Sequence, residues 1–398
     1  MNDPFSERMR FGLVVMIFFA SLFLMFTPFE GASQTMFPKY FSAGVAAALL
    51  FPLVVIGKIR LKIPSVLVLV ALATILFHGL LIRPAPIQFN ILIFINVMLA
   101  VMIYEASLNW RSEFIAAVYC LLFVNIALIS VQALLFYVLS QDIYDFHKLI
   151  FGSPSRFVED YLNVARFSGL QVEPGTYANY MACLLAIMIL AGGASKKSLL
   201  VSFLCILSIL LTNSGSSFYF VPVLLALIAL VWKSQIRWHY ILILMLSIGI
   251  YLYFSGIVSH LESRFLEHDD GSMSHRIEGI DVYLATGMED RFLGLGYAID
   301  PCVRCFYQDI GVVFNLVTRG GVIVTLALMV LMLRSLTVNG FILSFVLMLV
   351  PLNEKMFFYE APIWIFILFA ITGVAHRAPA PLARRPAHET CAGFRQAQ

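Results

Sequence analysis

Apolar residues in this chain gather in long, nearly unbroken runs divided by short polar breaks, so run length, not the spacing of a soluble amphipathic helix, sets the pattern. Runs lie near 11–28, 40–57, 64–82, 87–104, 114–140, 173–192, 198–212, 216–232, 239–256, 309–333, 336–352 and 359–375. A helix needs roughly 17 to 25 mostly apolar residues to cross a bilayer, and these twelve runs predict about twelve transmembrane helices. The expected fold class is all-α, a single polytopic membrane domain over 1–375. The first run is too long for a signal-peptide core and no small-x-small cleavage site clearly follows it, so it reads as a retained helix. The stretch 376–398, rich in Pro, Ala and Arg, reads as a disordered cytoplasmic tail.

Composition agrees with the run pattern. A chain of 398 residues that is 61% hydrophobic and 12% charged, with mean hydropathy +0.91, has too little polar surface to cover a water-soluble globule. The net charge of +3 is small, and no basic cluster of the kind that holds nucleic acid is present. With the N-terminus inside, the inner loops hold Lys58, Arg60, Lys62, Arg111, Lys196, Lys197, Lys233, Arg237 and Arg334, while the short outer loops hold only Lys39, Arg83 and Lys355. By the positive-inside rule both termini are expected in the cytoplasm. Two long connections, 141–172 and 257–308, then fall on the outer face and carry most of the remaining charge. Ion pumps and proton-coupled carriers need ionisable groups near mid-membrane, so their scarcity in the runs favours work at the outer surface.

The richest stretch runs from Arg166 through Gly169 to Glu173, Pro174 and Tyr180. Pro174 suits the first helical position, where its missing N–H is not needed, so a helix is predicted to begin near Glu173. A helix start with a guanidinium beside it suits a phosphate or diphosphate. Glu173 partly neutralises such a site unless it pairs with an arginine or takes a proton, and a salt-bridged helix cap is the plainer reading. Tyr177 and Tyr180 continue one face of that helix, either as interfacial anchors or as a polar stripe that meets substrate.

Other candidates follow along the chain. Within Leu211 to Ser217, Asn213 or Ser214 can cap the next helix, and the small hydroxyls Ser214 and Ser216 would let a polar headgroup approach the backbone. Ser274 to Leu284 reads as an amphipathic surface helix, in which Arg276 either faces water or shares a cavity with Arg166. Gly294-Leu295-Gly296 reads as a flexible turn, and Cys302 and Cys305 as a short local disulfide. Asp309 can cap the tenth span, where Asn315 and Arg319 stand four apart on one face; Arg319, inside an apolar run, must snorkel, pair or line a polar cavity. His78 reads as a packed interior histidine, and Glu354, Lys355 and Glu360 as an interfacial cluster. No His, Asp or Cys set has metal-ligand spacing, and no metal or other cofactor is expected.

Arg166-x-x-Gly169-x-x-x-Glu173-Pro174, then Leu211-Thr212-x-Ser214-x-Ser216, then Arg276 in a large outer loop leading to Gly294-x-Gly296, then Gly320-Gly321 in a span, together resemble the O-antigen polymerase and O-antigen ligase superfamily of bacterial membrane glycosyltransferases. The resemblance covers roughly 160–335 and rests on the order of the four motifs. It departs at Gly215, where the family often has arginine, and at Arg291 or Phe292, where a proline usually precedes the Gly-x-Gly turn. Asp309 stands about where ligases carry a histidine, which tilts the resemblance towards a polymerase. It implies a glycosyltransferase C-like fold in the bacterial inner membrane, and metal-independent transfer of a glycan from an undecaprenyl diphosphate carrier at the periplasmic face. A chain-length regulator and a flippase are the protein partners it brings, with membrane lipid around it and no nucleic acid. On this resemblance Arg166 and Arg276 hold the diphosphate, Glu173 or Asp309 is the general base, and Gly169, Tyr177, Ser214, Ser216 and Arg319 line the substrate site. A ligase and, further off, a polysaccharide-lipid transporter are the competing readings.

Overall fold

The computed structural model describes residues 4–27, 37–57, 60–155, 165–233, 246, 249, 271–297, 311–353 and 359–373. Among these, every regular element is helical. In chain order they are α1 (Pro4–Phe26), α2 (Phe37–Ile56), α3 (Ile63–Phe77), α4 (Ile87–Asn109), α5 (Arg111–Tyr137), α6 (Phe146–Phe151), α7 (Pro174–Gly192) and α8 (Lys196–Leu211). Then come α9 (Gly215–Val231), α10 (Gly271–Ala285), α11 (Met288–Leu293), α12 (Val312–Asn339), α13 (Phe341–Asn353) and α14 (Ala361–Thr372). A π-helical turn, His78–Ile82, extends α3.

Among the described residues six stretches are long and apolar enough to cross a membrane: Ser6–Phe26, Ile63–Ile82, Ile87–Asn109, Arg111–Tyr137, Pro174–Gly192 and Val312–Asn339. Shorter apolar helices stand over Tyr40–Ile56, Gly215–Val231, Phe341–Leu352 and Ala361–Thr372. This is the architecture of a membrane protein. The expected run at 239–256 lies outside the described residues, as does the tail. The break expected at 334–335 falls later, because Arg334 and Ser335 stay helical and α12 ends at Gly340, whose φ of +77° stops a helix at no steric cost.

α7 is the axis of the bundle and packs against α5, α8, α9 and α14. Its sequence explains why. Gly175, Asn179 and Cys183 recur every fourth residue, and so do Ala178, Ala182 and Ala186, which gives two small-residue stripes. Without a hydrophobic drive between helices in lipid, such stripes let neighbours approach closely on several sides. Around it α1 packs on α5 and α2, and α12 packs on α3, α11, α13 and α14. Large apolar side chains left exposed on α1 to α5, α12 and α13, such as Met16, Val70, Phe94 and Leu333, suit a lipid-facing rim.

Helix ends meet in two groups, as an up-and-down bundle requires. At one end Asn109 Nδ2 donates to the Gly57 carbonyl (3.2 Å), Arg111 donates through Nε and a terminal nitrogen to the Ala191 carbonyl (3.0 and 2.8 Å), and Asn339 Nδ2 donates to the Ala370 carbonyl (2.6 Å). At the other, Gln171 Nε2 donates to the Phe26 carbonyl (2.7 Å) and Tyr219 Oη to the Leu349 carbonyl (2.7 Å). The second group is called the mouth end below.

Candidate functional site

The mouth is built on the segment 165–173. Within the long connection 141–172, residues 167–172 are buried among the helix ends. Burial is tolerable because the segment closes its own hydrogen bonds. Gln171 N–H donates to the Ser168 carbonyl (2.9 Å), and Gly169 N–H donates to Gln132 Oε1 of α5 (2.8 Å). Gln132 Nε2 in turn donates to the Tyr144 carbonyl (2.7 Å). Gly169 has φ +59°, and a Cβ there would stand 3.1 Å from the Tyr177 ring, so the turn needs glycine on both counts. Arg166 lies half-buried at the start of this turn.

α7 starts as its sequence predicts: Glu173 is the N-cap in extended conformation and Pro174 follows at the first helical position. The Glu173 carboxylate does not cap its own helix; Oε1 accepts from Thr176 Oγ1 (3.3 Å). A Cβ on Gly175 would lie 3.7 Å from that oxygen and 3.9 Å from Ser216 Oγ, so Glu173 and Ser216 flank one glycine. Asn213, in left-handed conformation with φ +47°, donates from Nδ2 to the Ala165 carbonyl (2.8 Å). Ser214 caps α9, accepting from Ser217 N–H (3.2 Å). The two N-termini of α7 and α9 thus lie side by side, tied through Ala165 and flanked by Glu173, Ser214 and Ser216. Helix N-termini present free N–H groups and partial positive charge, a setting for an anion.

The tyrosine stripe divides. Tyr177 is fully buried and donates to Ser208 Oγ (3.1 Å), which makes it a packing residue between α7 and α8 and not part of the mouth. Tyr180 donates instead to Glu360 Oε2 (2.7 Å) at the start of α14. Glu360 was legible only as an interfacial charge. Its signal was the punctuation Glu360-Ala361-Pro362 before an apolar run, which repeats that of Glu173-Pro174.

Arg319 belongs to a second construction. α12 is kinked at Gly321 (φ +59°, ψ −156°), which frees the carbonyls of Thr318 and Arg319 from the helical ladder. The N–H groups of Leu295 and Gly296 take their place, both at 2.9 Å. Gly294-Leu295-Gly296 is therefore a docked strap and not a flexible turn. A Cβ on Gly294 would stand 2.4 Å from the Arg319 carbonyl oxygen, and one on Gly321 2.4 Å from that of Phe292. Arg319 Nε donates to Asn315 Oδ1 (2.7 Å), the pairing their spacing predicts, and a terminal nitrogen reaches the Gly296 carbonyl (3.5 Å). Tyr297 stacks near Phe89 (6.3 Å) and edge-on to His78 (5.2 Å); burial pushes its phenol up, and the Arg319 charge opposes that shift. His78, buried as expected, donates from Nε2 to the Leu293 carbonyl, and Arg83 pairs with Asp290 (2.5 Å), so the strap is pinned to α3 as well.

Asp309, Cys302, Cys305, Glu354 and Lys355 lie outside the described residues. Arg276 falls in α10, with its side chain outside them. On α10, Leu284 is 57% exposed, so the expected apolar stripe does not bury evenly. Among the described residues no three His, Cys, Asp or Glu side chains stand together as a metal would need. Comparison of the chain with protein-family models, with curated proteins and with solved structures finds no match.

Proposed function

We propose that this protein joins oligosaccharide repeat units carried on undecaprenyl diphosphate, as a polymerase for O-antigen, capsule or exopolysaccharide, in the bacterial inner membrane with the mouth facing the periplasm. One observation supports the reading most: two stretches about 40 residues apart in sequence, each part of the resemblance, form a single anion-suited mouth through the Asn213 to Ala165 bond and the shared flank of Gly175. Arg166 and the helix starts would hold the diphosphate and stabilise its charge as it leaves. Arg276 would join them. Glu173 or Asp309 would take the acceptor hydroxyl's proton, and Arg319 would keep the strap side of the site polar. Gly169 gives the turn its shape, and Ser214 and Ser216 offer small hydroxyls to the headgroup. The reaction needs no metal in this scheme, and a flippase and a chain-length regulator would work beside it.

The test is synthesis by the purified protein from lipid-linked repeat units, with and without chelator. A ladder of products is expected in both, and Arg166→Ala should reduce it by about 100-fold or more, the scale of losing one charge-stabilising group. Transfer only onto a lipid A-core acceptor would make the enzyme a ligase; movement of the lipid across the bilayer without bond formation would make it a transporter.

A further inference from the structure

The turn that leads into α7 rests on the end of α5. Gln132, less than two turns before the end of α5 at Tyr137, is fully buried. Its Oε1 accepts from Gly169 N–H (2.8 Å), and its Nε2 donates to the Tyr144 carbonyl (2.7 Å). One partner is a donor and the other an acceptor, so the amide has one orientation: flipped, it would set NH2 against N–H and oxygen against oxygen. One turn further along α5 the Phe136 and Tyr137 rings stand edge-on to the Phe167 ring (5.9 and 5.6 Å). Residues 167–169 are thus gripped by rings at one point and by the amide at another.

The two bonds of that amide reach two parts of one connection. Gly169 lies three residues after Arg166 and four before Glu173. Tyr144 precedes Asp145, whose carboxylate caps α6 by accepting from Lys148 N–H (2.8 Å) and also accepts from Ser155 N–H (2.8 Å). The described parts of the long connection, 141–155 and 165–172, therefore meet on one side chain. Asn213 holds the same segment at Ala165, and the Gln171 side chain holds it at Phe26. Loss of Gln132 would leave the segment attached at those points, with a buried N–H at its middle that must find another acceptor.

We propose that Gln132 is a positioning residue, which acts through Gly169 to set the place of Arg166 and Glu173 beside the helix starts. Its effect on catalysis rests on the proposed function; the tie itself does not. A misplacement of about 1 Å in a catalytic group can cost about 100-fold in rate, and a turn without its central bond has that freedom.

The experiment compares the full-length wild type with Gln132→Met and Gln132→Glu in phosphatidylglycerol vesicles. It reads thermal melting, turnover per folded molecule on lipid-linked repeat units, and hydrogen exchange over 165–173 by mass spectrometry. Gln132→Met keeps the side chain's length and loses both bonds. It should lower turnover on the order of 10-fold or more and speed exchange over 165–173 by a similar factor, with exchange in α4 and α14 unchanged. Gln132→Glu is the sharper test, and it decides the matter if Gln132→Met does not fold. A protonated carboxyl accepts from Gly169 and donates to Tyr144 as the amide does, whereas an ionised one has no proton to donate. Turnover and protection should be near wild type at about pH 5 and lower on the order of 10-fold at about pH 9, each against wild type at the same pH. Asp142, Asp145, His147, Lys148, Arg166 and Glu173, the ionisable groups of the joined segments, are in both proteins, so the wild-type profile separates their titration from that of the new carboxyl. Turnover and exchange equal to wild type at both pH values would overturn the inference. So would lower melting with turnover per folded molecule unchanged, which would make Gln132 a packing residue. If the wild type forms no product, the proposed function fails, and exchange over 165–173 still decides whether Gln132 holds the turn.

Discussion

The two ends of the helix bundle bury polar groups in different ways. At the end away from the mouth Glu105 and Arg111 each close a helix. Glu105, 3% exposed, accepts from Lys62 N–H (2.7 Å) and Ser65 Oγ (2.5 Å) at the start of α3. Arg111 closes the end of α7 on the Ala191 carbonyl, and Ser195 forms a capping box with Ser198 at the start of α8. At the mouth end, buried oxygens of Thr27, Asn125, Ser168, Gln171 and Asn213 accept no hydrogen bond from the protein. Neither Glu173 nor Glu360 caps the backbone of the helix it begins with its side chain. The difference sets an end where Glu105 and Arg111 close helices against an end that buries several oxygens without a partner in the protein.

The largest effect should come from Gly321→Ala. It forces a side chain into left-handed backbone and against the Phe292 carbonyl, and costs about 3 kcal/mol of stability in a thermal melt in detergent. Because the strap undocks, product formation should fall with it. Glu105→Ala should cost about 2 kcal/mol, since it strands a part-buried N–H and a buried hydroxyl, yet leave turnover per folded molecule unchanged. A loss of turnover there as deep as that of Arg166→Ala would break the contrast between the ends. The smallest change in stability should come from Asn213→Gly, which relieves the left-handed backbone while losing the bond to Ala165. Its melting point should stay within a few degrees of wild type, because about 1 kcal/mol is lost and part returned. Its product yield should fall more than that of Glu105→Ala, since it loosens the segment that carries Arg166. Equal yields would show that the mouth does not depend on this tie.

Much of this was readable in one dimension because it is local. Run lengths located α1, α4, α5 and α7, Pro174 marked the start of α7, Ser214 served as a cap, and Asn315 and Arg319 met across one helical turn. Where the pattern misled, the partner was far along the chain. Nothing local in 166–172 shows how it packs, and only Gln132 of α5, Phe26 of α1 and Asn213 before α9 show how it is buried. Gly294 and Gly296 looked flexible until the kink at Gly321 gave their N–H groups carbonyls to bond. Tyr177 and Tyr180, three residues apart, were indistinguishable by spacing and were separated by Ser208 on one side and Glu360 on the other.

The amino-acid sequence by itself determined that the chain is helical, that it belongs in a membrane and where most helices begin, since these follow from hydrophobic length and from hydrogen bonds between residues within one turn. Tertiary structure alone decided which polar groups are spent on holding helix ends and which remain at the mouth. A buried donor or acceptor takes its role from what faces it, and 180 residues can separate that partner from it, as for Tyr180 and Glu360.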